Sequence, residues 1–175
     1  MSVPGNTESG VLLCGIIRHQ DTSREKIISR LENEFGHVDA QSDEFPFYLT
    51  TYYEPEMGDN LLRSFLTFDK LVSPAVQAEI KLKTNEIEAE FTEANCRKIN
   101  LDPGLLTAHN LILTTGKDFS HRIYIRDGIF AEVTLMVNKG KLTPLPWTYR
   151  DYQLPEVLDF FEKQRQKFLA FRKNK

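Results

Sequence analysis

The sequence contains little cysteine, with only two among its 175 residues. Cys14 lies inside an apolar run and Cys96 follows a helical pattern, and their separation matches no metal-binding or redox spacing. Neither has the neighbours of an activated thiol. The cysteines therefore indicate neither a disulfide framework nor a cysteine-based metal site.

Long hydrophobic runs and a strong excess of one charge are also missing. The apolar run Val11 to Ile17 is far shorter than the ~18 residues that span a bilayer, and the polar N-terminus lacks the cationic flank of a signal peptide. The 22 basic and 25 acidic residues give a net charge of -3, too small a field to draw the chain onto nucleic acid or an acidic membrane. We expect a cytoplasmic protein with no membrane partner and no strong nucleic-acid signal. The oligomeric state stays open.

The sequence carries no signature of a common enzyme class. The patterns G-x-x-x-x-G-K-[ST], G-x-G-x-x-G, G-x-S-x-G and H-E-x-x-H are all missing, and the predicted sheet lacks the aromatic pattern of RNA-recognition domains. Thr115-Gly116-Lys117-Asp118 is similar to the guanine-specificity motif of GTPases, but it lacks that motif's spacing and is interpreted as a polar loop. A P-loop nucleotidase is excluded, and the cofactor stays unknown.

The composition that remains is that of a globular domain, with 41% hydrophobic and 27% charged residues and no internal repeat. We expect one α+β domain over residues 11–172, a flexible N-terminus at 1–10 and a basic tail at 173–175. Hydrophobic periodicity and turn residues predict its elements in the order strand, helix, strand, strand, helix, strand, which is the ferredoxin-like βαββαβ order. These elements are a strand at Val11–Ile17, a helix capped by Thr22 and Glu25 and stopped by Gly36, an edge strand at Phe45–Tyr53, a strand at Leu61–Val72, a helix from Ser73-Pro74 to about Asn95 and a short strand at Lys98–Leu101.

The segment that follows Leu101 is open to two interpretations. Asp102-Pro103-Gly104 either turns the chain or caps a short helix that ends at Gly116, and we prefer the helix. A three-stranded antiparallel meander then begins at His121, with reversals at Asp127-Gly128 and Asn138-Lys139-Gly140. Pro155 begins the C-terminal helix.

The Asp127-Gly128 turn predicts which side chains share a face of the hairpin. A two-residue type I′ turn pairs Arg126 with Ile129, Tyr124 with Ala131 and Arg122 with Val133. Glu132 is then opposite Ile123, and His121 lies on the diagonal roughly 5.5 to 8 Å away. A carboxylate on this face needs a partner, and His121 or a nearby arginine can provide one.

His121 and Glu132 are therefore the candidate catalytic residues, as a general acid/base or metal-ligating pair that Asp102 could complete. The alternative is a structural hydrogen bond, because a histidine and a glutamate on one sheet face are common. Arg122 and Tyr124, on the opposite face, suit an anion such as phosphate or carboxylate, or else form a solvated outer face.

Further candidates for ligand binding are aromatic. Tyr53 ends a strand beside a long loop, where ligand contacts concentrate, and Trp147 and Tyr149 lie in the irregular segment Pro144 to Tyr149. In each case packing against the core is the alternative to a binding role. No metal ligand set is fixed by the spacing.

Several segments together resemble a known family. They are Phe45-Pro46-Phe47, Tyr52-Tyr53-Glu54 through Met57-Gly58, Asn100 to Gly104, His121-Arg122-Ile123-Tyr124 and Pro144 to Tyr149. In combination they resemble an uncharacterised bacterial family known as a domain of unknown function, number 4416, over about Val11 to Phe168. The resemblance implies a bacterial cytoplasmic protein of one domain. Members sometimes carry a loose GTP-binding label, and the family provides no catalytic residues to transfer.

These observations lead to one hypothesis and one rival. The hypothesis is a protein that binds a small anionic ligand, with an enzymatic role left open, at the 121–134 hairpin and the 102–104 loop. The rival is a non-catalytic protein-protein interaction module that uses the aromatic segment 147–152 or an edge strand.

Overall fold

The computed structural model describes residues 1, 3, 5, 7–94 and 96–173, which form a mixed α/β structure with a large antiparallel sheet. Its helices are α1 (Arg24–Phe35), α2 (Glu54–Met57), α3 (Gln77–Glu90) and the C-terminal α4 (Pro155–Lys173). Short 3₁₀ turns occur at Pro74–Val76 and Arg150–Gln153. Its strands are β1 (Gly10–His19), β2 (Val38–Gln41), β3 (Phe45–Pro46), β4 (Leu61–Val72), β5 (Thr92–Glu93), β6 (Cys96–Arg97), β7 (Ile99–Leu106), β8 (Asn110–Thr115), β9 (Ile123–Arg126), β10 (Ile129–Asn138) and β11 (Lys141–Pro144).

The main sheet has the strand order β11-β10-β8-β7-β1-β4-β2, with β3 paired to β4 and β9 paired to β10. The central strand β1 is a nearly continuous apolar run because both of its faces are covered. Leu12, Cys14 and Ile16 pack under α1 and α3 on one face. Leu13 packs with α4 on the other face, together with Phe65. The predicted C-terminal helix is confirmed.

The first helix is capped one residue later than predicted. Ser23 is the N-cap, and its side chain accepts a hydrogen bond from the Lys26 amide at 3.2 Å. Gly36 ends the helix, as predicted, with a φ of 98° that an L side chain rarely adopts. The second long helix ends at Glu90, while Asn95, its predicted end, lies outside the described residues.

Two predicted elements are wrong. The expected edge strand Phe45–Tyr53 pairs only at Phe45–Pro46, and the strand that precedes it is Val38–Gln41, which pairs with β4. The helix expected after Asp102 is instead the continuation of β7 and the hairpin partner β8. Gly104 permits this pairing, because a Cβ there would lie 2.4 Å from the carbonyl oxygen of Ile112.

The meander is confirmed, and both of its turns have the left-handed backbone of a type I′ reversal. Asp127 and Gly128 have φ of 54° and 76°, and Lys139 and Gly140 have φ of 48° and 84°. The register between β9 and β10 matches the prediction only next to the turn, where Arg126 pairs with Ile129. An irregularity then shifts it by one residue.

The predicted basic tail and the predicted flexible N-terminus lie partly outside the described residues. None of the described helices is both long and apolar enough to cross a bilayer. Of the predicted basic tail 173–175, Lys173 ends α4 and the last two residues lie outside the described part of the chain. Of the predicted flexible N-terminus 1–10, residues 2, 4 and 6 also lie outside it, and Gly10 begins β1.

Candidate functional site

The sheet opens between β7 and β8. β7 pairs with β1 from Ile99 to Leu106, but it pairs with β8 only over its last three residues, Gly104 to Leu106. Pro103 has no N–H to donate to a neighbouring strand, and its carbonyl accepts a hydrogen bond from the Thr114 hydroxyl at 3.2 Å. The part of β7 that precedes Gly104 therefore diverges from β8.

Side chains of α3 take the place of the missing strand partner. The Leu101 N–H donates to Glu88 Oε1 at 2.7 Å, and the Leu101 carbonyl accepts from Lys81 Nζ at 2.7 Å. Both side chains are buried, and Lys81 Nζ lies 3.7 Å from Glu88 Oε1. Because α3 satisfies both peptide groups of Leu101, this residue needs no strand partner across the gap.

A cavity of about 890 Å³ lies at this gap. Its walls come from α3, β4, β7, the end of β8 and the segments 47–53 and 147–151. Three classes of side chain predominate in its lining: the cations Arg63, Lys81, Arg97, Lys117, Arg122 and Arg150, the carboxylates Glu88, Asp102 and Asp151, and the aromatic residues Phe47, Tyr52, Tyr53, Trp147 and Tyr149.

The floor of the cavity is built around Arg63, whose side chain is only 1% exposed. Its Nη1 donates to Asp102 Oδ2 at 3.0 Å, and its Nε lies 2.8 Å from Asp151 Oδ2. The guanidinium lies over the Phe65 ring, 4.5 Å from the centroid. Gly15 makes room for it, since a Cβ there would lie 2.8 Å from Arg63 Nη2. The buried cation of β4 thus lies between a carboxylate of β7 and a carboxylate of the 3₁₀ turn Arg150–Gln153, in space that β1 leaves open.

A second set of hydrogen bonds extends this floor toward α3. Asn100 Nδ2 donates to Asp102 Oδ1 at 2.9 Å, and Asn100 Oδ1 accepts from Arg97 Nη1 at 3.0 Å. Arg97 also bonds Glu88 at 2.5 Å and, through Nη2, Glu56 at 2.8 Å. The inner charges of the cavity are therefore already paired with one another.

Asp102 remains partly open to the cavity, with 27% of its side chain exposed. Burial by itself raises the pKa of this carboxyl. The charges of Arg63 and Lys81 and the hydrogen bonds from Asn100 and Arg63 outweigh burial, so the net pKa lies below its ordinary value.

This lowered pKa predicts a pH dependence of stability. Asp102 ionises more readily in the folded chain, so its contribution is complete above its ordinary pKa of 3.8 and is lost as the pH falls through the folded value. We expect Asp102→Asn to lower the free energy of unfolding by on the order of 2 kcal/mol at pH 7 and by progressively less toward pH 3. Urea denaturation at pH 7, 5 and 3 measures this. The exposed Asp43→Asn is the control, and a cost for Asp102→Asn that stays constant with pH would refute the argument.

The predicted acid and imidazole do come together, but an arginine joins them. His121 Nε2 lies 3.2 Å from Glu132 Oε2, and Arg122 Nε donates to the same oxygen at 2.7 Å. Glu132 is 1% exposed and does not line the cavity, so it lies behind Arg122 as a buried counter-charge.

The shifted register explains why Arg122 reaches Glu132. Tyr124 pairs with Phe130 and Ile123 pairs with Ala131, so the predicted pairs Tyr124–Ala131 and Ile123–Glu132 are wrong. The irregularity moves one residue of β9 out of alternation, and odd and even positions exchange faces beyond it.

Arg122 also joins the two loops at the cavity mouth. Its Nη1 donates to the Lys117 carbonyl at 3.0 Å, and its Nη2 donates to the Tyr149 hydroxyl at 2.7 Å. Burial and then the charge of Glu132 raise the pKa of Tyr149 to about 12, against the opposing effect of Arg122. The phenol therefore keeps its proton near neutral pH and can donate it toward a ligand.

The structure places most of the predicted ligand-binding residues at the cavity. Asp102, Arg122, Tyr53, Trp147 and Tyr149 all line it. Tyr124 does not. It is exposed on the edge strand β9 and packs edge-on against Phe130 at 5.4 Å.

Sequence reasoning missed the contribution of α3 and of the cations Lys117 and Arg150. The buried residues Gln77, Lys81, Thr84 and Glu88 recur at helical spacing on α3, and this regular spacing marks a polar face of the helix without showing that the face is buried. Lys117 lies in a loop and Arg150 begins the short 3₁₀ turn Arg150–Gln153, and neither gives a comparable signal. The part of the chain that the structure describes contains no group of three or more His, Cys, Asp or Glu side chains placed to hold a metal ion.

Comparison with known proteins identifies a family and nothing more specific. The chain matches no curated protein and no solved structure. A family model, described as a domain of unknown function (DUF4416), matches residues 8–168. Since this match covers most of the chain, the protein belongs to the DUF4416 family.

Proposed function

We propose that this protein binds a small anionic ligand in the cavity between β7 and β8. The observation that carries the proposal is the charge of the lining, where six lysine and arginine side chains face three carboxylates. The whole chain has a net charge of -3, so the cavity departs in sign from the rest of the molecule. An anion entering it gains from this local field.

Two of the lining cations have no carboxylate partner among the described residues. The inner cations are paired with Asp102, Asp151 or Glu88, and Arg122 is paired with Glu132. The Lys117 amine donates to the Tyr52 hydroxyl and lies over the Tyr52 ring, while Arg150 is exposed, and neither side chain forms an ion pair among these residues. These two cations are therefore available to a ligand.

Their positions favour a single anion subsite at the cavity mouth. Arg122 bonds the Lys117 carbonyl on one side and the Tyr149 hydroxyl on the other, and Arg150 follows Tyr149 directly. In this proposal Lys117 and Arg150 neutralise the anion, Tyr149 donates a hydrogen bond to it, and His121 and Glu132 hold Arg122 in place. The pair His121 and Glu132 would then be positioning residues.

Neutralising the two free cations tests the proposal. We expect phosphate, pyrophosphate or citrate to raise the Tm of the wild type, because a ligand that binds only the folded state stabilises it. The double variant Lys117→Gln/Arg150→Gln should lose at least about tenfold in affinity, which two charge-assisted contacts readily account for. Thermal shift and isothermal titration calorimetry at fixed ionic strength measure both quantities.

The matched control is Lys26→Gln/Lys70→Gln, which removes two exposed cations that are not part of the cavity lining. It should bind like the wild type. If both double variants lost affinity for the anion equally, the loss would reflect the change in net charge and not a specific site, which would contradict the proposal. If no anion stabilises the wild type, the result favours the rival function as a protein-interaction module. The surface for that function would be the edge strand β9, where Ile123 is 74% exposed.

Two further proposals concern the fold and the cellular compartment. We propose a ferredoxin-like unit over residues 10–106, supported by the antiparallel order β7-β1-β4-β2 with α1 and α3 on one face. We also propose a reducing, cytoplasmic setting, since Cys14 and Cys96 are both free thiols.

A further inference from the structure

The cavity is far larger than an inorganic anion requires. Its volume of about 890 Å³ falls in the range of pockets that enclose whole organic ligands, roughly 300–1,000 Å³. Phosphate at the mouth would leave the greater part of this space unfilled. The space would admit a larger body attached to the anionic group.

Trp147 forms a fixed aromatic platform in the wall. Its Nε1 donates to the Val133 carbonyl at 2.8 Å, and its ring stacks on His121 with centroids 5.3 Å apart and planes 15° apart. Although both contacts hold the ring in one orientation, it stays 40% exposed and lines the cavity. A large apolar ring that is immobilised and still open gains by stacking with another ring at little cost in conformational entropy.

The platform lies close to the anion subsite. Trp147 stacks on His121, and the next residue along the chain, Arg122, contacts both the Lys117 carbonyl and the Tyr149 hydroxyl. Tyr149 is itself two positions from Trp147. One small molecule can therefore contact the platform with one end and the cations with the other.

Aromatic side chains also face the cavity from the segment 47–53. Tyr52 and Tyr53 pack edge to face at 5.1 Å, and Phe47 packs on Tyr53 at 6.0 Å. These rings and Trp147 line the same space from different segments of the chain.

From the fixed platform, the volume and the adjacent cations, we infer that the ligand is an aromatic acid: a planar ring that stacks on Trp147 and carries a phosphate or carboxylate that Lys117 and Arg150 bind. This inference rests on the proposed anion-binding function and specifies its ligand class.

The chain has a single tryptophan, so its fluorescence reports directly on this site. Three probes separate ring from charge: phenyl phosphate, cyclohexyl phosphate and inorganic phosphate. We expect phenyl phosphate to quench the emission saturably and to bind about three- to tenfold more tightly than cyclohexyl phosphate, the gain typical of one aromatic stacking contact. Free N-acetyltryptophanamide under the same conditions corrects for collisional quenching.

Substitution of the platform provides the second measurement, by calorimetry. In Trp147→Leu the preference for phenyl over cyclohexyl phosphate should disappear while inorganic phosphate binds as before. Trp147→Phe keeps a ring and should retain part of the preference, so it tests the inference even if the leucine variant folds poorly.

The outcomes separate this inference from the function on which it rests. Equal affinities for the two organic phosphates in the wild type, or a preference that survives in Trp147→Leu, would overturn the aromatic ligand class and leave anion binding intact. Failure of all three probes to bind the wild type would overturn both.

Discussion

Replacing Arg63 with methionine is expected to lower the free energy of unfolding by about 3–5 kcal/mol, the usual cost of removing one partner from a buried ion pair. The carboxylates of Asp102 and Asp151 would lose a cation held 3.0 Å and 2.8 Å away. Asp151 is only 5% exposed, so water would compensate poorly for the lost charge there. Urea denaturation at pH 7 measures the effect.

A triple variant distinguishes loss of charge balance from loss of packing. In R63M/D102N/D151N no uncompensated carboxylate remains, so most of the lost stability should return. Arg172→Met is the control, because Arg172 pairs with the half-exposed Glu8 and such surface pairs contribute roughly 0–1 kcal/mol. Either of two results would contradict this role of Arg63. Arg63→Met could lower the free energy of unfolding no more than Arg172→Met does, or the triple variant could be no more stable than Arg63→Met.

Local signals in the sequence predict the elements whose determinants are themselves local. The reversals at Asp127-Gly128 and Lys139-Gly140 are encoded by residues that tolerate a left-handed backbone, and the structure has them at the predicted positions. The apolar run of β1 likewise marks a strand covered on both faces. These features need no information about distant residues.

The helix prediction for the segment after Asp102 is wrong because the structure of this segment depends on distant residues. Leu105, Ala108, Leu111 and Ile112 have helical spacing, yet the chain forms two paired strands because Gly104 lets the backbone of β8 approach closely. A short apolar run is compatible with either structure, and the choice depends on tertiary pairing.

The candidate site was predictable in part. The predicted contact between His121 and Glu132 forms, but not through the register that the tight turn predicted, because the irregularity in β9 that brings Arg122 to the same carboxylate has no sequence signature. The polar stripe of α3 is regular in the sequence. A solvated face has the same spacing, so only the structure distinguishes a buried polar wall from an exposed one.

Replacing Glu88 with alanine is the second substitution for which we expect a loss of about 3–5 kcal/mol. Glu88 Oε1 accepts the Leu101 N–H at 2.7 Å, and the same carboxylate pairs with Arg97 at 2.5 Å and faces Lys81 at 3.7 Å. Its removal leaves one backbone donor unsatisfied and two cations with less compensation. Urea denaturation measures the total loss, and hydrogen exchange at the Leu101 amide should accelerate.

Two further variants show whether the carboxylate acts by charge or by shape. Glu88→Gln can still accept from the Leu101 N–H through its amide oxygen, so it should lose less than alanine and retain slow exchange at that amide. Glu86→Ala, two residues away on α3, removes an exposed pair with Lys83 and should change stability by less than about 1 kcal/mol. If Glu88→Ala lowers the free energy of unfolding by as little as Glu86→Ala does, then α3 does not hold open the gap between β7 and β8. The cavity would then need another explanation, because α3 is the only described element that supplies hydrogen-bond partners to Leu101 on that edge.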